Sequence, residues 1–162
     1  MQAILILQLL ILLAVANGTA VVAKKVLGDA FARPLDGGAV FVDGRPLFGP
    51  TKTIRGIVLS LLATPLSASL MGLEWKVGAL VAIGAMAGDL FSSFVKRRLG
   101  LPPSSMAIGL DQIPESLLPL IAAGMLLPVT LLDIVAVVTI FFVGELMLSR
   151  ILFKLRLRDR PY

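Results

Sequence analysis

The sequence predicts an all-α integral membrane protein of five transmembrane helices, with the N-terminus outside, the C-terminus cytoplasmic and two ordered cytoplasmic loops. Three observations predict it. Hydrophobic residues make up 57% of the 162 residues and charged residues only 15%, against about 25% charged in soluble domains. The apolar residues gather into five runs, each close to the roughly 20 residues that cross a hydrocarbon core. Every Lys and Arg except Lys76 falls in the loops and tail that five crossings place on one side, and positively charged loops stay in the cytoplasm. That asymmetry explains the net charge of +5 as topology, without a nucleic-acid partner. The composition also excludes a secreted disulfide module, a disordered chain and a separate soluble catalytic domain. With no Cys and no His there is no thiol nucleophile and no imidazole base, and any metal must be held by oxygen, which favours Mg²⁺, Ca²⁺ or Mn²⁺.

The five segments are Gln2 to Ala23, Ile57 to Met71, Val77 to Val95, Ile113 to Val129 and Leu131 to Phe153. They form a single transmembrane domain over residues 1–162, with cytoplasmic loops at about 24–54 and 97–112. The first segment contains Ala14-Val15-Ala16, a candidate signal-peptidase site, but it lacks a basic n-region and stays apolar to Ala23, so it is read as a retained span. The long loop carries Asp36-Gly37-Gly38 and Asp43-Gly44-Arg45-Pro46 around Val40-Phe41-Val42, a pattern that suits a small hairpin with Asp-Gly turns. It ends in Phe48-Gly49-Pro50-Thr51-Lys52-Thr53-Ile54-Arg55-Gly56, which puts backbone N–H groups, a hydroxyl, a Lys and an Arg at a helix N-terminus, a natural phosphate site. The glycine spacing is not that of a Walker A loop, and a merely positive cytoplasmic loop is the alternative.

Asp89, Ser92, Ser93 and Lys96 fall at i, i+3, i+4 and i+7, so one face of the third helix ends in a carboxylate, two hydroxyls and an ammonium. An acid near a membrane-helix end faces a wet cavity, a cation or a partner, and a simple salt bridge to Lys or Arg stays open. Asp111, in Gly109-Leu110-Asp111-Gln112, is either a second functional acid or an N-cap of the fourth helix, with Glu115 one turn on. Asp133 reads as interfacial, and Glu145 as a candidate partner of a loop Arg. The Lys154-Leu155-Arg156-Leu157-Arg158 tail reads as a membrane anchor.

These residues carry a resemblance. Gly88-Asp89-Leu90-Phe91-Ser92-Ser93-Phe94-Val95-Lys96-Arg97 resembles the Gly-Asp-Leu, Ser-x-apolar-Lys-Arg segment of the phosphatidate cytidylyltransferases, the CDP-diacylglycerol synthases. Gly109-Leu110-Asp111-Gln112 is similar to the end of that signature, and Pro50-Thr51-Lys52-Thr53-Ile54-Arg55-Gly56 to their Pro-Lys-Lys-Thr-x-Glu-Gly stretch. Asn17-Gly18, Pro34 to Gly38, Phe41 to Gly49 and Lys52 to Gly56 together resemble the archaeal branch, the CDP-archaeol synthases, in order over residues 17–112. The Lys-Asp pair and His-Gly-Gly stretch of the bacterial pattern are absent, and Pro114 stands near where a further acid is usual. The CDP-alcohol phosphotransferases are set aside, because Asp36-Gly37-Gly38-Ala39-Val40 lacks their Arg and spaced acids.

The resemblance implies transfer of the cytidylyl group of CTP to a membrane-embedded isoprenoid ether lipid phosphate, 2,3-bis-O-geranylgeranylglycerol 1-phosphate, giving CDP-archaeol and pyrophosphate on the cytoplasmic side of the cell membrane. It implies Mg²⁺ on Asp89 and Asp111, with Lys52 and Lys96 as catalytic cations. Asn17, Asp36, Lys52, Thr53, Ser92 and Arg97 are then the expected nucleotide ligands, and Arg45, Arg55, Ser93 and Arg98 the expected ligands of lipid phosphate or pyrophosphate. A homodimer is left open. A small transporter or channel with an intramembrane Asp is the alternative, though it would place its polar residues at the midplane and repeat its halves.

Overall fold

The structure, a computed structural model, describes residues 2–154, with side chains through Ile151. The anchor tail expected from Lys154 to Arg158 lies outside the described residues, apart from the backbone of Lys154. Five helices follow in order: α1 Ala3–Leu27, α2 Ile54–Leu70, α3 Trp75–Arg98, α4 Gln112–Ala123 and α5 Leu131–Lys154. Of these, α1, α3 and α5 are long and apolar enough to cross a membrane, and α2 is a shorter apolar helix. α1 runs through Lys24 and Lys25 to Leu27, four residues past the expected end at Ala23, and closes at a positive-φ Gly28. α4 stops six residues earlier than the apolar run suggests, because Gly124 closes it and the chain turns back, with Leu126 N and Leu127 N both bonded to Ala123 O.

α3 is the hub, packed against α1, α2 and α4, whereas α5 touches only α1 and α4 among the described residues. The close approaches are made where glycines of α3 meet prolines of its neighbours. A Cβ on Gly78 would stand 2.6 Å from Pro65 Cα of α2, and one on Gly84 the same distance from Pro119 Cα of α4. A Cβ on Gly88 would stand 2.5 Å from Pro114 C and 2.7 Å from Glu115 N. Side-chain-free surfaces let backbones touch in a membrane bundle, where lipid tails offer no hydrophobic drive between helices.

One end of the bundle is apolar, with Leu9, Leu12 and Leu13 of α1 packed on Val77, Val81, Leu120, Ala123 and Val137. There Asp133, fully buried, accepts bonds from Gln2 N and from Thr130 N and Oγ1, tying α1 to α5. Asp133, read as interfacial, lies in the first turn of α5, where Thr130 Oγ1 accepts from Asp133 N at 3.3 Å and Asp133 Oδ2 accepts from Thr130 N, a reciprocal cap. The opposite end gathers the long loop 28–53, the loop 99–111 and the charged residues. The expected hairpin is reduced to an isolated bridge between Val40 and Pro46, and a second bridge joins Pro34 to Thr53; no strand forms among the described residues.

Candidate active site

At the polar end a cavity of about 1150 Å³ opens between all five helices. Its polar part holds two lysine–carboxylate pairs. Lys52, just before α2, is ion-paired with Asp89 of α3. Lys96 Nζ lies 2.7 Å from Asp111 Oδ1 and donates to Ser105 O at 2.9 Å. Lys96 and Asp111 are buried, at 8% and 7% exposure, so removing either would leave the other's charge short of its nearest partner.

Local folding explains each placement. Thr53 caps α2, its Oγ1 accepting from Gly56 N at 3.2 Å, and this cap starts the helix immediately after Lys52. Asp89 follows Gly88, whose missing side chain brings α4 against α3. Asp111 occupies the N-cap position of α4 but makes no cap bond there. Its Oδ2 instead accepts from Ala107 N at 2.8 Å, which folds the 99–111 loop and turns Oδ1 toward Lys96. Capping, the plainer reading of Asp111, is therefore absent.

Other expected residues divide into two groups. Asn17, Thr53 and Arg55 line the cavity with Lys52, Asp89, Lys96 and Asp111. Asn17 Nδ2 is buried with no hydrogen-bond partner, and Arg55 Nη1 donates to Gly28 O and Ala30 O past the end of α1. Asp36, Arg45, Ser92, Ser93, Arg97 and Arg98 stand outside the lining. Ser92 bonds back to Asp89 O at 3.0 Å, Ser93 is 3% exposed, and Arg97 Nη2 donates to Pro102 O at 2.8 Å. Asp36 organises the long loop, accepting from Gly38 N, Phe48 N and Gly49 N at 3.0, 3.0 and 2.9 Å. Partial burial pushes its pKa up, but these N–H groups outweigh that and hold it below the usual carboxylate value. Arg45 and Arg98 bind each other's segments, as described below.

Two residues that sequence reasoning did not select also line the cavity. Glu115 faces Asp89 within side-chain hydrogen-bonding reach, with Glu145 and Lys52 near it. Gln112, fully buried, accepts from Gly109 N at 2.8 Å and leaves Nε2 without a partner. Both lie beside Asp111 on the first turn of α4, and a helical reading of that turn against α3 is the signal that could have found them.

The comparisons agree with this architecture. The family model described as CarS-like, CDP-archaeol synthase, matches residues 73–162. A CDP-archaeol synthase of Pyrobaculum islandicum is 34% identical over 153 residues, covering 91% of this chain and 92% of that protein. The chain belongs to the CDP-archaeol synthase family. Other members of the family match over shorter stretches: that of Hyperthermus butylicus is 41% identical over 67% of each chain, and that of Pyrococcus furiosus is 44% identical over 49% of this chain and 53% of its own length. A solved structure described as an intramembrane enzyme for archaeal membrane lipids biosynthesis superposes with a TM-score of 0.68 at 33% identity, covering 86% of this chain and 91% of that one. With three helices among the described residues long and apolar enough to cross a membrane and a relative described as intramembrane, this member of the family is a multi-pass membrane protein.

Proposed function

We propose that the chain transfers the cytidylyl group of CTP to the phosphate of 2,3-bis-O-geranylgeranylglycerol 1-phosphate, releasing pyrophosphate and leaving CDP-archaeol in the membrane. One observation carries the reading: in a chain of this family, the cavity joins two lysine–carboxylate pairs to an apolar wall that includes Leu10, Val21 and Ile140, so a nucleotide triphosphate and a lipid headgroup meet at one place. The lipid phosphate, with a second pKa near 6, is already a dianion at neutral pH. Its oxygen forms the new bond to the α-phosphorus of CTP as the bond from that phosphorus to the β-phosphate oxygen breaks. No proton moves, so a protein without His is sufficient. The barrier lies in aligning crowded anions, and Lys52 and Lys96 lower it by leaving their carboxylates for phosphate oxygens. Asn17 and Gln112 offer amide donors inside the cavity, and Arg55 and the first turn of α2 face the phosphates.

The donor set fits Mg²⁺: Asp89, Asp111 and the Glu115 that faces Asp89 are all hard oxygen ligands. Among the described residues no three acids converge into a ready cage; Mg²⁺ usually takes one or two carboxylates and completes its shell with water and substrate phosphates. When bound, Mg²⁺ would supply charge neutralisation on the triphosphate. All five helices are read as crossing the membrane, α4 together with the apolar turn that follows it, with the N-terminus outside and the cavity open to cytoplasmic CTP. An impermeant thiol reagent tests this on cysteines placed at Gly37 and Gly72: labelling of Gly37 from the cytoplasmic side only is expected, and labelling from outside would remove access to CTP. Purified protein given the lipid phosphate, labelled CTP and Mg²⁺ should form labelled lipid. No such product would reject the activity.

A further inference from the structure

We propose that Arg98 is a positioning residue: it clasps the 28–53 loop onto the C-terminal end of α3, so fixing Lys52 against Asp89, and holds no phosphate itself. The inference rests on the reading of Lys52 as a nucleotide-phosphate ligand.

The loop holds the Arg98 guanidinium through Nη1 and Nη2, while Nε is buried without a hydrogen-bond partner. Nη1 pairs with Asp43 Oδ1 at 3.0 Å, and Nη2 donates to Pro46 O at 2.6 Å and to Arg45 O at 3.3 Å. Its Cζ lies 4.8 Å from the Phe41 ring centre and 4.9 Å from that of Phe94, and the two rings are perpendicular with centres 5.3 Å apart. Three nearly equal distances place the cation in the notch between a loop ring and a helix ring, where both π-systems attract it. Arg45 completes the exchange, donating from Nη1 to Arg98 O at 2.5 Å and to Arg97 O at 3.3 Å, carbonyls in the last turn of α3; Arg97 O also accepts from Gly100 N at 3.1 Å. A phosphate oxygen could reach Nη1 or Nη2 only by displacing Asp43 or the loop carbonyls.

From the clasp to Lys52 the loop is pinned throughout. Phe48 and Gly49 are held on Asp36, and Leu35 N bonds to Lys52 O at 2.7 Å. The loop thus meets α3 at the clasp around Phe94, Arg97 and Arg98 and again at Asp89, with Arg98 and Asp89 about 13 Å apart along the helix. Fixing the first contact of a braced loop fixes the second.

The chain has no cysteine, so a nitroxide on a single Cys at Thr51 reports loop order, and one at Leu73, at the other end of the bundle, serves as control. Arg98→Met and Phe41→Leu should each mobilise the Thr51 label and leave the Leu73 label unchanged. Phe41→Leu removes no charge, so a phosphate-binding Arg98 predicts normal CTP affinity in that variant, whereas the clasp predicts weakened binding, as in Arg98→Met. Equilibrium binding of labelled CTP should fall roughly tenfold in Arg98→Met alone. In a Lys52→Met background the same change should alter it less than twofold, because the effect passes through Lys52. The same fold-change in both backgrounds marks a direct phosphate contact or a generally weakened fold, and overturns the proposal. An immobile Thr51 label in Arg98→Met overturns it too. Unimpaired CTP binding in Lys52→Met alone would instead overturn the role given to Lys52, and the label would still decide the clasp.

Discussion

Gly88→Ala perturbs the contact on which the site geometry depends. The new Cβ would stand 2.5 Å from Pro114 C and 2.7 Å from Glu115 N, about 1 Å inside ordinary carbon contact. The obstacle is backbone on both sides, so no side chain can swing away, and α4 must move from α3 by about 1 Å. Overpacking of this kind costs about 1–3 kcal/mol, a melting-temperature loss of roughly 2–12 °C for a chain of this size. The same displacement carries Asp111 and Glu115 away from Lys96 and Asp89, and misplacement by 1 Å costs about 100-fold in rate. Circular dichroism melting in detergent, with cytidylyl transfer measured on the same preparation, reads both. Gly144→Ala is the control, since nothing lies within 4 Å of a Cβ there and alanine favours a helix over glycine; its melting temperature should hold or rise. A Gly88→Ala protein that melts and turns over like the parent would refute backbone contact at Gly88.

Other perturbations test the site and the loop. Lys52→Ala should weaken CTP binding by about 1.5–3 kcal/mol, roughly 10- to 150-fold, while Lys76→Ala, exposed at the other end of α3 beside Glu74, should leave it unchanged; equal losses would mean that bulk charge holds the nucleotide. Asp89→Asn and Asp111→Asn should each abolish most turnover without unfolding the protein, and the double variant should be little worse, since the pair acts as a unit; near-normal turnover in Asp111→Asn would restrict the metal to α3 and Glu115. Because the Asp36 pKa lies below its ordinary value of 3.8, its bonds order the loop fully above that value and are lost as pH falls through the lowered pKa. A spin label at Thr51 should therefore loosen in acid, and Asp36→Asn should flatten that step.

Hydropathy made the five helices legible because each is built from an apolar run, and it failed where an apolar stretch turns. Met125, Leu126 and Leu127 continue the apolar pattern past Gly124 without continuing α4. The acids and lysines of the site were legible as residues but not as pairs: Lys52 and Asp89 lie 37 positions apart, and nothing local links them. Glu115 looked like an ordinary first-turn acid until the Gly88 contact put it opposite Asp89. The resemblance put Arg45 and Arg98 at a phosphate; the carbonyls and the Phe41 ring that hold them belong to segments about 50 residues away, which no local pattern links.

The most direct test of the account uses two labels of CTP on the purified protein with lipid phosphate and Mg²⁺. With the α-phosphorus labelled, the label should appear in the lipid; with the γ-phosphorus labelled, it should leave entirely as pyrophosphate. Label from the γ-position in the lipid would show phosphoryl transfer instead, and no label in the lipid from either position would contradict cytidylyl transfer at this site.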